Sequence, residues 1–318
     1  MAIPESATAF MAGQVERVRR GKRKRIVFPE GEDPRIYVAA ARLARERLLE
    51  PILIGRKPAQ ADAGLTFIDP ETSPETPRYA ALYLKRRAGR GVSEREAARI
   101  ARRPLYFAAL MVAAGDADGT VGGATTSTAE TVRAALHSIG AAPAVRTVSG
   151  FFIMAAHQRQ FGHNGLFVFS DCAVLVTPSA AELADIAIAA AASTRTLLEA
   201  EPAVTMLGCS VEAIADDRAA ETVSAALETI RAREPKLRVE CGVDAAAAVA
   251  AGANTLIFPN LNSGNICYKL VERFGDAAAM GPFLQGLAKP ANDLSRACTA
   301  QDVYSVAIVT ASQAEEQP

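Results

Sequence analysis

The feature that most restricts this chain is an alternation of short β-branched or apolar runs with stretches whose apolar residues recur at helical spacing. The runs are Arg25 to Phe28, Pro51 to Ile54, Leu65 to Ile68, Thr147 to Ile153, Leu166 to Phe169, Val204 to Leu207, Arg238 to Glu240 and Leu256 to Phe258. Strands each followed by a helix must be joined by crossovers, so the pattern predicts βα units and largely parallel sheets. With 318 residues, half of them hydrophobic, the chain exceeds one small core and points to two lobes. No low-complexity linker separates them, and the junction is expected near Ala142 to Val148, with a return to the first lobe near the C-terminus.

Helix starts are marked by Ser or Thr with an acid three residues on, an arrangement in which each side chain satisfies an orphan N–H of the other. Ser93 with Glu96, Ser127 with Glu130 and Ser179 with Glu182 fit it. Pro34 follows Glu32 and Asp33 where a first-turn proline is tolerated, so Phe28 to Gly31 reads as strand, turn and helix entry. The segments Ala180 to Leu198 and Asp217 to Arg233 carry one apolar face and one polar face, as covering helices do.

Charge and composition exclude several functions. Lys plus Arg equal Asp plus Glu at 35 each, so no whole-molecule field draws the protein onto nucleic acid or an anionic membrane. The basic run from Arg17 to Arg25 is broken by apolar residues and reads as a solvated helix end. No apolar stretch reaches the roughly 18 to 20 residues of a membrane span, and MAIPESATAFMAGQ lacks a signal-peptide core. Five scattered cysteines argue against a disulfide scaffold and for a reducing cytoplasm. His137, His157 and His163 are isolated and no CxxC pair exists, so no metal site is expected. Cys172, after an apolar strand, reads as a small buried hydrophobe rather than a nucleophile.

Three segments could carry chemistry. Gly119 to Thr128 is a glycine-rich turn that leads into a helix containing Arg133; such a turn suits a phosphate or carboxylate, or else its glycines only relieve strain. Asn260-Leu261-Asn262-Ser263-Gly264-Asn265 follows an apolar strand, at the usual ligand position of parallel sheets, though the Asn residues also suit capping and turns. The densest segment, Lys289 to Asp302, packs cation, amide, hydroxyl, thiol and carboxylate groups before the apolar helix Val303 to Ala311. Thr299 with Asp302 also makes a near capping box, so a structural reading stands beside the functional one.

The stretches RIVFPEGEDPR, ADGTVGGATTSTAETVRAAL, VFSDCAV, LIFPNLNSGNICYKL and GPFLQGLAKPANDLSRACTAQDV together resemble the phosphate acetyl/butyryltransferase family, from about residue 14 to residue 313. The resemblance implies two α/β lobes with mainly parallel sheets and an interdomain active-site cleft, the first lobe being 1–146 plus 297–318 and the second 147–296. It implies interconversion of acetyl-CoA plus phosphate with CoA plus acetyl phosphate, no cofactor beyond CoA as substrate, and a homodimer. By position in the matched motifs, Ser295, Arg296 and Asp302 would be catalytic. Arg133, Arg87, Ser127, Thr128, Asn262, Gly264 and Asn265 would hold CoA or phosphate, with Arg86 adjoining Arg87.

The implied chemistry suits these residue types. A thiol has a pKa of about 8.5, so a carboxylate that takes its proton as sulfur attacks gives general-base help, and Asp302 is that candidate. An efficient base would have a pKa raised from about 3.9 by partial burial. Ser295 or backbone N–H groups would stabilise the oxyanion, and Arg296 and Arg133 would hold the phosphoryl group. Thr126 stands where relatives often carry His, and the segment between Leu237 and Asn254 is shortened; both bear on CoA contacts and activity level. A non-catalytic acetyl-CoA-sensing module and a phosphate butyryltransferase are the alternative readings.

Overall fold

The computed structural model describes residues 3–62, 64–143, 145–208, 218–242 and 244–315. Its chain divides into two units, Gly13–Pro143 with Leu287–Pro318, and Met1–Ala12 with Ala144–Gly286, so the boundary falls inside α1 (Glu5–Arg20). Elements are numbered in chain order.

The unit built on residues 13–143 contains β1 (Lys24–Phe28), α2 (Pro34–Arg45), β2 (Leu49–Ile54), β3 (Thr66–Ile68), α3 (Thr76–Arg86), α4 (Glu94–Ala101), α5 (Pro104–Ala114), β4 (Gly119–Gly122) and α6 (Thr128–Ser138). It is completed by β11 (Ala291–Asp293) and α11 (Ala300–Glu315). The five strands are all parallel, in the order β11-β4-β1-β2-β3. Helices α2 and α11 pack on each other and on the sheet, while α5 and α6 form a second packed pair on β4 and β11. Ile26, Val27, Phe28, Leu53, Phe107, Ile308 and Val309 are fully buried between these layers, each worth roughly 1.5 to 3 kcal/mol relative to exposure.

Two consequences follow from this order. The chain moves from β1 outward through β2 and β3, then returns to the other edge of β1 with β4. The C-terminal ends of β1 and β4 therefore flank a topological switch point, where open α/β sheets leave a crevice for ligands. Residues 287–296 also belong to this unit, which moves the expected return at residue 297 earlier. The reason is strand pairing: Ala291, Asn292 and Asp293 lie opposite Thr120, Val121 and Gly122.

The unit built on residues 144–286 contains β5 (Ser149–Ala155), β6 (Leu166–Ser170), α7 (Ala180–Leu198), β7 (Ala203–Leu207), α8 (Arg218–Arg233), β8 (Arg238–Gly242), α9 (Ala245–Ala250), β9 (Thr255–Ile257), α10 (Leu261–Phe274) and β10 (Ala278–Gln285). Asp217, the expected start of α8, lies outside the described residues. The sheet order is β10-β5-β6-β9-β7-β8, parallel from β6 through β8 and antiparallel at β10, β5 and β6. Helix α10 closes a core of Phe152, Phe167, Phe169, Cys172 and Phe258 through Tyr268, which stacks on Phe152 at 4.1 Å between ring centroids, and Val271.

The capping patterns form as the spacing predicts. Ser93, Ser127 and Ser179 accept from the N–H groups of Glu96, Glu130 and Glu182, and Pro34 opens α2 behind an Asp33 cap. Cys172, Cys267 and Cys298 are free thiols. Cys241 is disulfide-bonded, a bond that the reading of the scattered cysteines as no disulfide scaffold does not anticipate, and Cys209 lies outside the described residues. No helix among the described residues is long and apolar enough to cross a membrane.

Candidate functional site

The glycine-rich turn forms an N–H nest at the switch point, and the nest already holds an anion. After β4, Gly123 takes φ +103°, a backbone state that suits glycine, and a Cβ there would collide with Asp293 and Leu294. The chain then turns so that three successive amides converge on the carboxylate of Glu30. Ala124 N donates to Glu30 Oε2 at 2.7 Å, and Thr125 N and Thr126 N donate to Oε1 at 2.8 and 3.1 Å. Both threonine hydroxyls add bonds to Oε1, at 2.9 and 3.0 Å. The turn thus has the anion affinity expected of it, supplied from within the chain by the β1–α2 turn.

A second charged group, in the first turn of α2, reaches further. Arg35 pairs with Asp33 through Nε and Nη2 at 3.0 and 2.8 Å. This hydrogen bonding holds the Asp33 carboxyl below its usual range and the guanidinium above its own. Nη2 also donates to Ala124 O at 2.8 Å, while Nη1 donates to Arg296 O at 2.8 Å and Cys298 O at 3.0 Å. One guanidinium therefore joins the glycine-rich turn to the loop after β11.

Within the dense segment, the structure separates fold from candidate chemistry. Lys289 caps α5 through Val112 O at 3.0 Å, and buried Asn292 donates to Thr310 Oγ1 and Gln313 Oε1, tying β11 to α11. Asp293 is fully buried and accepts from Thr128 Oγ1 at 2.5 Å, while its Oδ1 has no hydrogen-bond partner. Ser295 and Arg296 are exposed, and the Arg296 guanidinium has no partner among the described residues. Asp302 is exposed, not partly buried as an efficient base would require, and it closes the capping box of α11. Its Oδ2 accepts from Thr299 N and Oγ1, both at 2.8 Å, and its N–H donates to Thr299 Oγ1 at 3.2 Å. Oδ1 remains open.

Of the expected binding residues, Ser127 and Thr128 are engaged in the fold. Ser127 caps α6 with Glu130, and Thr128 holds Asp293. Burial first, then the charges of Arg87 and Arg133, hold the His137 imidazole below its usual pKa. Arg87 Nε is buried without a partner, whereas Arg86 donates to Ile139 O at 2.7 Å, a bond that anchors the end of α6. In the other unit Asn260 caps α10 through Ser263 N at 3.0 Å, and Asn265 donates to Cys172 O at 3.3 Å. Gly264 lets α10 approach the Asp171–Cys172 backbone, where a Cβ would meet Asp171 O at 2.6 Å. Asn262 faces solvent. Asp171 is buried beneath, accepting from Gly150, Ala173, Val174 and Leu175 N–H groups, and burial pushes the Cys172 thiol well up, as suits a core residue rather than a nucleophile.

A cavity of about 660 Å³ opens beside the nest, lined by Glu30, Gly55, Arg56, Arg103, Thr125 and Thr126 among others. No group of three or more His, Cys, Asp or Glu residues among the described residues is placed to hold a metal ion.

An all-parallel unit whose switch-point turn gathers a carboxylate, with the Arg296 loop joined to that turn through Arg35, defines an α/β protein of the open-sheet class. The chain belongs to the phosphate acetyl/butyryl transferase family, whose model, "Phosphate acetyl/butaryl transferase", matches residues 10–311. It is 42% identical over 304 residues to the phosphate acetyltransferase of Paracoccus denitrificans, covering 91% of this chain and 95% of that protein. It is 38% identical over 316 residues to the phosphate acetyltransferase of Clostridium acetobutylicum, covering 92% and 95%. The crystal structure of a phosphotransacetylase from Streptococcus pyogenes superposes with a TM-score of 0.87 at 37% identity, over 99% of this chain and all of that one.

Sequence reasoning passed over Glu30 and Arg35, took Asp293 only as part of the Lys289 to Asp302 segment, and set His137 aside as isolated. The available signal for the first two was a run of three acids and an arginine, Glu30 to Arg35, directly after a buried strand. Asp293 carries a pH prediction. Burial raises its pKa to about 6, so the folded protein holds a proton there that the unfolded chain releases near 3.8. The favourable contribution is complete below pH 4 and is lost as pH rises through about 6, a linkage on the order of 3 kcal/mol. The Asp293→Asn variant should therefore lose less thermal stability than the parent between pH 4.5 and 7, measured by melting; parallel curves would contradict the assignment.

Proposed function

We propose that this chain is a phosphate acetyltransferase, interconverting acetyl-CoA plus phosphate with CoA plus acetyl phosphate. The carrying observation is the loop 295–302, which presents an exposed hydroxyl, an unpartnered guanidinium and a carboxylate with one free oxygen beside an N–H nest. Arg296, aided by Arg133, binds the phosphoryl group of acetyl phosphate by charge-assisted bonds. The CoA sulfur attacks the acetyl carbonyl while Asp302 takes the thiol proton, and Ser295 donates to the developing oxyanion. As the tetrahedral species collapses, the C–O bond to phosphate breaks, the C–S bond remains, and the proton passes from Asp302 to solvent or the departing phosphate. No covalent enzyme intermediate and no cofactor take part. Arg87 and Arg133, around His137, give CoA phosphates a second basic contact.

Thioester formation from acetyl phosphate and CoA, followed by its ultraviolet absorbance, tests this reading. Turnover is expected, fastest with acetyl among acetyl, propionyl and butyryl phosphates. CoA binding without turnover would show the sensing module instead, and a butyryl preference the butyryltransferase.

The reading includes a cytoplasmic location and a homodimer. Support for the dimer comes from α10, where Ile266, Leu270 and Phe274 recur every fourth residue and are 58%, 49% and 84% exposed. Residues four apart share a helix face, and a contiguous exposed apolar stripe marks an interaction surface. Phe274→Glu is expected to shift the light-scattering mass from dimer to monomer; an unchanged mass moves the interface elsewhere.

A further inference from the structure

We infer that Glu30 and Arg35 are positioning residues for acetyl transfer, acting as the two ends of a clamp across the switch point. The inference rests on the phosphate acetyltransferase reading, because it assigns the clamp's purpose to the loop carrying Ser295, Arg296 and Asp302. Glu30 gathers the N–H groups of Ala124, Thr125 and Thr126, while Arg35 draws in the carbonyls of Ala124, Arg296 and Cys298. Ala124 is held at both poles of its backbone, its N–H by the anion and its C=O by the cation, and both partners come from one seven-residue stretch, Pro29 to Arg35, that runs from the β1–α2 turn into the first turn of α2.

The chemistry of the two side chains explains why this turn uses these residues. A planar guanidinium presents five donors in fixed directions, so one group can satisfy Asp33 and three carbonyls at once; an ammonium on a flexible stem cannot. A carboxylate offers two acceptor oxygens to a fan of donors, whereas the amide of glutamine would turn an NH2 toward one of them. Cys298 ends the gripped loop one residue before Thr299, the cap that orients Asp302. Fixing the Arg296 and Cys298 carbonyls therefore sets both the direction of the Arg296 side chain and the start of α11. Neither Glu30 nor Arg35 needs to touch substrate for this.

The test compares Arg35→Lys and Glu30→Gln with the parent enzyme by steady-state kinetics, melting and amide hydrogen exchange. Misplacing reacting groups by about 1 Å costs on the order of 100-fold, so kcat in Arg35→Lys should fall about 10-fold to 100-fold. KM for acetyl phosphate should rise about threefold or more and KM for CoA stay within about twofold, because the arginines expected to hold CoA lie elsewhere. Exchange of amides in 123–127 and 295–299 should quicken in both variants. Unchanged kinetics in both variants, or activity falling only in step with the folded fraction at constant KM values, would overturn the clamp. If the parent enzyme transfers no acetyl group, the functional reading falls separately. The exchange measurement then still decides the clamp, faster exchange supporting it and unchanged exchange refuting it.

Discussion

Asp302→Asn is expected to reduce turnover about 100-fold or more while leaving CoA affinity within about threefold, since a well-placed general base contributes roughly 10² to 10⁴. The substitution separates the two uses of this side chain. Asparagine keeps one carbonyl oxygen, so Thr299 N–H and Oγ1 retain an acceptor and the α11 capping box persists. The proton-accepting capacity is lost. Melting should therefore remain close to the parent, whereas Thr299→Ala should cost about 1 kcal/mol of stability through the cap. Single-turnover formation of the thioester, measured with CoA at saturation, reads the chemical step directly. Parent-like turnover in Asp302→Asn would remove Asp302 from the base role.

Arg296→Gln should be comparably severe, with a different signature. The parent guanidinium has no partner among the described residues, so its removal breaks no fold contact and melting should not move. Hydrogen bonds to charged groups are worth about 1.5 to 3 kcal/mol each. Losing a two-pronged grip on a phosphoryl group should lower kcat/KM for acetyl phosphate by about 100-fold to 1,000-fold. CoA binding, which depends on other arginines in the proposed arrangement, should change little. In the reverse direction the KM for inorganic phosphate should rise in parallel. A loss confined to CoA affinity would reassign Arg296 to the nucleotide.

What the sequence revealed was the local part of the design. The helix starts at Ser93, Ser127 and Ser179 depend on residues three apart, and the strands Lys24–Phe28 and Leu49–Ile54 announce themselves by composition. The sequence reads β4 only as part of a turn because the β-branched pair Thr120-Val121 is short and flanked by glycines on both sides. Its glycines answer a tertiary demand, since a Cβ at Gly119 would meet Thr310 and one at Gly122 would meet Pro29 and Leu105. Strand β11, Ala291-Asn292-Asp293, is not marked as a strand in the dense polar segment because its partners, Thr310, Gln313 and Thr128, lie far along the chain. Glu30 and Arg35 were hidden for the same reason: the nest is 94 residues from Glu30, and the gripped carbonyls are 261 and 263 residues from Arg35. The 295–302 segment stands out in the sequence because its polar groups exceed what one helix cap can use, and the Thr299–Asp302 cap is the part of it that the fold itself employs.

The carboxylate in the nest changes what the enzyme asks of its surroundings. Being tethered to the same chain, Glu30 meets the turn at a fixed effective concentration that no dilution lowers. The turn is thus ordered before any substrate arrives, and the entropy of ordering it is not charged against phosphate affinity. Inorganic anions in the medium then compete for the arginines alone, so the shape of the loop is independent of the ionic supply around it.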